Sequence, residues 1–169
     1  MKYFIDTEFI EYPCSIDLIS IGMKCEDGRK FYAISTDFDS SKASIWVQEN
    51  VISQLPEPET CGSWMPKVQI STEILHFIGD DTPEFWGYFC DYDWVVFCWL
   101  FGTMMDLPKG WPMYCRDLKQ LADDINNSNF HEFASPEGEH NALVDACWNE
   151  ELYQRLMAQQ NRPQEGGIK

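Results

Sequence analysis

Lys2-Tyr3-Phe4-Ile5-Asp6-Thr7-Glu8-Phe9-Ile10 reads as a buried strand interrupted by two acids. Tyr3, Phe4 and Ile5 are aromatic or β-branched, the composition of a core strand. Asp6 and Glu8 are two apart, so strand alternation puts both on one face. Like charges side by side on a buried element are costly unless cations neutralise them. Hard divalent ions with oxygen ligands, Mg²⁺ or Mn²⁺, suit such a pair. Taken alone, the pair also reads as two solvated acids at a strand end.

Outward from this strand, Ser15 to Lys24 is a second apolar run and Lys30 to Ser35 a third. Glu26-Asp27-Gly28 supplies the turn between them, which predicts an antiparallel meander. Ala43 to Leu55 carries apolar residues at helical spacing and stops at Pro56 and Pro58. Pro56 to Pro66 reads as loop, Ile70 to Ile78 as a helix stopped by Gly79, and Glu84 to Phe89 as an aromatic strand. A helix over Asp93 to Phe101, a short strand over Met113 to Cys115 and helices over Asp117 to Ile125 and Asn141 to Ala158 complete the pattern. Three strands in a row, then strands alternating with helices, predict an α/β fold with a mixed sheet of about five strands. One domain is expected over residues 1–158, with a mobile loop from Asn126 to Glu139 and a flexible tail over residues 159–169.

Composition narrows the class. Seven scattered cysteines with no C-x-x-C give neither a zinc ribbon nor a disulfide framework. No apolar run reaches the roughly 20 residues of a membrane span, and no basic signal start opens the chain, so a cytoplasmic protein is expected. The net charge of −16, from 28 acids against 12 bases, argues against extensive tracking along a nucleic-acid backbone. It leaves room for an enzyme that grips only a strand end through metal ions.

Two further acids stand in unusual places. Asp93 lies where a predicted strand hands over to a helix, a common location for α/β ligand residues. It also reads as a plain helix cap, and Asp91 is its rival. Asp145 sits in Ala142-Leu143-Val144-Asp145-Ala146-Cys147, too apolar a segment for an unpartnered charge. His140 precedes it by five residues, at the end of the predicted mobile loop. His76 and His131 read as structural.

In order and spacing, D-x-E, a later Asp at a strand–helix junction and H-x4-D resemble the DEDDh 3′→5′ exonucleases of the ribonuclease-H-like fold. D-T-E-F-I-E, L-I-S-I-G followed by E-D-G-R, Y-D-x-V and H-N-A-L-V-D-A look like the exoribonuclease AS group within it, small proteins linked to adenylate-rich RNA. The resemblance covers roughly residues 1 to 155 and departs from the family pattern at none of the five positions. It implies that Asp6, Glu8, Asp93 and Asp145 hold two Mg²⁺ ions, with Mn²⁺ as the alternative. Two such ions about 3.5–4 Å apart stabilise the entering and leaving oxygens of an in-line displacement. Asp6 would bridge the ions, Glu8 would also touch the terminal nucleotide, and His140 would be the general base.

Phe9 and Ile10 are candidates to stack on or wedge beside the terminal base, though core packing is slightly favoured for Ile10. Trp86, Trp94, Trp99 and Trp111 read more readily as core than as site, and Arg29, Lys30, Arg116 and Lys119 more readily as surface than as phosphate contacts. The implied partner is a single-stranded 3′ end, RNA rather than DNA, with a homodimer expected from the relatives. A DNA exonuclease of the same mechanism, or an idle acidic mimic of nucleic acid, are the competing readings. End-only engagement predicts a shallow salt dependence of binding.

Overall fold

The computed structural model describes residues 1–125 and 136–161; most of the loop read as mobile, with His131, and the end of the tail lie outside the described residues. Strand β1 (Lys2–Tyr12) is one of the two central members of a sheet built around its apolar start. It pairs antiparallel with β2 (Ser15–Cys25), which pairs antiparallel with β3 (Lys30–Ser35), giving the expected meander. Two-residue β4 (Trp64–Met65) lies parallel to β3, inside a stretch the sequence reads as loop. Beyond β1 come β5 (Glu84–Gly87) and β6 (Arg116–Asp117), both parallel. The order is β4-β3-β2-β1-β5-β6, six strands where about five were expected, because β4 adds an edge.

Helices α1 (Ile45–Asn50), α2 (Lys67–Ile78), α3 (Asp91–Trp99), α4 (Leu118–Asp124) and α5 (Ala142–Gln160) flank this mixed sheet, in keeping with a ribonuclease-H-like α/β fold. Helix α1 is shorter than its apolar spacing suggests: Ser44 caps it at Val47, and the pattern finishes in a 3₁₀ turn over Ile52–Gln54. Helix α2 starts earlier than expected, since Asp37 accepts the orphan N–H of Lys67 at 2.8 Å. It ends at Gly79, whose φ of +60° favours glycine.

The alternation of β1 sorts its side chains between two helical layers. Tyr3 and Ile5 point into the main core, with Ile70, Ile74 and Ile78 of α2, Phe85 of β5, and Val96 and Phe97 of α3. Phe4 points the other way, into a cluster with Leu118, Ala122, Leu152 and Leu156 from α4 and α5. Asp6 and Glu8 therefore fall on the α5 side, whereas Thr7 faces the side of α3. Gly22, opposite Asp6 in β2, lets α5 come down beside these acids. A β-carbon there would lie 2.1 Å from the Ala142 carbonyl oxygen, so any side chain would lift the start of α5 off the sheet.

Candidate active site

The cleft forms where β5 parts from β1. These strands pair only over Lys2–Phe4 and Glu84–Trp86. Continued in that register, Tyr88 would face Asp6 and its backbone would bond the Ile5 carbonyl and the Thr7 N–H. Instead β5 ends at Gly87, and Phe89 turns away with a φ of +51°, costly for a residue with a β-carbon. Two side chains take the vacated backbone groups. Asn149 of α5 donates its Nδ2 to the Ile5 carbonyl at 2.9 Å. Asp93 of α3 accepts from the Thr7 N–H and the Thr7 Oγ1, both at 2.7 Å and both through Oδ1.

Between these two clamps lies a cleft of about 330 Å³ that Asp6, Glu8, Asp93, His140 and Asp145 all line. Carboxylate oxygens of Asp6, Glu8 and Asp145 lie within 4.8 Å of one another, close enough to share a cation. Asp93 stands just behind them, buried, with Oδ1 engaged by Thr7. It lies in the first turn of α3 rather than opening it, since the helix begins at Asp91 with Cys90 as cap residue. Its rival Asp91 is exposed. Asp145 accepts the backbone N–H of His140 through Oδ2 at 2.9 Å, an approach made with His140 at a φ of +70°. The His140 ring rests edge-on against Trp46 of α1, centroids 4.8 Å apart.

The electrostatics are those of an acid cluster short of cations. Among the described residues lining the cleft there is no lysine or arginine, and Glu139 adds a fifth carboxylate. Burial, followed by repulsion from Asp93, Glu8 and Asp145, pushes the Asp6 carboxyl well above its ordinary range. Burial and the neighbouring acids push Glu8 up to about 8. Burial raises Asp93 and Asp145 to about 6 each, against the lowering effect of their hydrogen bonds to Thr7 and His140. An all-oxygen donor set this crowded fits hard divalent cations.

Carboxyls with a raised folded pKa hold protons that the unfolded chain has already released, so folding takes up protons and stability falls as pH rises through that window. The window runs from the ordinary carboxylate range up to about 8, set by Glu8. Asp27, Asp39 and Asp81, held low by hydrogen bonds, act below it. The metal-free protein is therefore expected to melt at progressively lower temperature between about pH 5 and about pH 8, and saturating Mg²⁺ should restore the loss. A melting temperature that is flat over this range without metal contradicts the crowding described here.

Other candidate residues scatter. Phe9 lines the cleft and meets Tyr92 edge-on at 5.8 Å. Ile10 is buried with Ile19, Ala43 and Val51, while also bordering a neighbouring hollow that Glu8, Phe9 and Trp46 line. Trp86, Trp94 and Trp111 pack in the core and Trp99 lies exposed on α3; the aromatic residues of the cleft are Phe9, Tyr88, Phe89 and Trp148. Arg29 is tied to Asp27 and Asp81, Arg116 to Glu84 and Lys119 to Asp123. Lys30 borders a separate hollow beside α5. His76 is exposed on α2, beside Glu73.

Comparison with known proteins places the chain in a family. The 3′-5′ exoribonuclease Rv2179c-like domain matches residues 1–157. The chain belongs to this exoribonuclease family. Two relatives from Mycobacterium tuberculosis, the 3′-5′ exoribonuclease Rv2179c of strain H37Rv and the 3′-5′ exoribonuclease MT2234.1 of strain CDC 1551, are each 42% identical over 149 residues. Those matches span 86% of this chain and 87% of each relative. All five candidate residues of the Rv2179c-like cleft fall inside the matched span. No helix among the described residues is long and apolar enough to cross a membrane.

Proposed function

We propose that this Rv2179c-like domain removes nucleotides one at a time from single-stranded RNA 3′ ends, with Asp6, Glu8, Asp93 and Asp145 holding two Mg²⁺ or Mn²⁺ ions. The observation that carries the reading is the cluster of Asp6, Glu8 and Asp145 oxygens within 4.8 Å, in an exoribonuclease family member whose cleft has no lysine or arginine among its described lining. When bound, the cations would neutralise the carboxylates and stabilise the charge that develops on the entering and leaving oxygens.

The protein's own groups divide the remaining work. The imidazole of His140, which lines the cleft, takes the proton from the attacking water as general base. Its backbone N–H bonds Asp145, a contact that consumes neither ring nitrogen. Glu8 and Phe9, shared between the cleft and the neighbouring hollow, contact the terminal nucleotide, Phe9 by stacking. Ile10 supports that wall from the core. The motif likeness to the exoribonuclease AS group supports adenylate-rich RNA as the preferred substrate and a homodimer as the working form. Seven free cysteines fit a reducing, cytoplasmic setting.

The test uses end-labelled single strands of RNA and of DNA with Mg²⁺ or with a chelator. Stepwise shortening of RNA from the 3′ end only in the presence of metal is expected, faster on adenylate tracts than on uridylate tracts. Equal action on DNA would make the substrate assignment wrong, and no shortening with any divalent metal would leave a binding protein.

A further inference from the structure

We propose that Asn149 is a positioning residue of this site, setting the spacing between Asp145 and Asp6; the inference rests on the metal-binding reading above. Asn149 is 1% exposed, a polar side chain at a helix–sheet contact that otherwise buries apolar groups such as Phe4, Leu152 and Leu156. It lies four residues after Asp145 on α5, so both project from one face of that helix. Its amide bonds the Ile5 carbonyl, the peptide group leading into Asp6. The bond occupies the place a continued β5 would have filled, so the same amide closes an orphaned strand edge and joins the elements carrying the two carboxylates. Asp93 performs the matching task two residues along, at the Thr7 N–H. Without the Asn149 donor, the Ile5 carbonyl loses its partner and α5 can shift relative to β1, widening the gap a shared cation must span. Partners that hold metal ligands in place typically account for about 10–100-fold in metal affinity.

The experiment is calorimetric titration of Mn²⁺ into wild type and Asn149→Leu, with metal-free melting curves of both. Leucine keeps the branching of the side-chain heavy atoms and removes the donor. The inference predicts a folded N149L protein whose Mn²⁺ affinity is lower by about 10–100-fold. A merely structural role would lower the melting temperature and leave the affinity of the folded protein unchanged, which would overturn the proposal. Failure of wild type to bind Mn²⁺ would overturn the metal-site reading and this inference together. Should N149L not fold, the Asn149 carboxamide NMR signals of wild type decide: protection from exchange with a shift on Mg²⁺ addition supports the role, and signals unmoved by saturating Mg²⁺ refute it.

Discussion

Asp145→Asn is expected to fold as the wild type does and to lose cleavage almost completely. The substitution keeps the side-chain shape, and an amide oxygen can still accept the His140 backbone N–H that now bonds Oδ2 at 2.9 Å. It removes one of three charges whose oxygens meet within 4.8 Å. Losing a proposed ligand should cost more than the roughly 10–100-fold attached to a ligand's outer partners. Without metal, the variant should be more stable than wild type at neutral pH, because one carboxylate fewer is crowded against Glu8 and Asp6. Cleavage assays over a Mg²⁺ series, with melting curves alongside, check both halves. Wild-type turnover by this variant would mean that Asp145 is not part of the site.

His140→Ala should behave differently. Its Mg²⁺ affinity is expected to stay near the wild-type value, since the His140 contact with Asp145 is made by the backbone, which alanine retains. Turnover should fall by about 10²–10⁴-fold, the usual contribution of a positioned base. A variant that lost metal binding and turnover together would place His140 among the ligands instead.

Part of the candidate site was legible in the sequence, for a physical reason. Asp6, Glu8 and Asp145 are charges set into apolar stretches, and burial without a partner is costly enough to mark them. From the residues alone Asp93 reads as a helix cap with Asp91 as its rival, and only the Y-D-x-V resemblance favours it; its burial and its bond to Thr7 separate it from a plain cap. Asn149 could not be seen, because a polar residue on a helix ordinarily faces water and only the parting of β5 from β1 gives it a carbonyl to bond. Nor could Trp46, which reaches His140 from a helix far away in sequence.

The fold shows the same division. The meander followed from β-branched and aromatic runs joined by short turns. Strand β4 did not, because Trp64 and Met65 are a strand only through pairing with Ile34 and Ser35. The third predicted helix opened two residues early, at Asp91, and β6 fell at Arg116–Asp117 instead of Met113–Cys115. One displacement sits where the chain leaves the sheet after β5 and the other where it enters at β6, places where element ends are least fixed by local preference.

The central claim, that four acids from distant parts of the chain make one two-cation site, is tested most directly by crystals of the protein soaked in Mn²⁺ and examined by anomalous diffraction. The account predicts two Mn²⁺ peaks about 3.5–4 Å apart, ringed by Asp6, Glu8, Asp93 and Asp145. Saturating Mn²⁺ that leaves no peak among these carboxylates would contradict it.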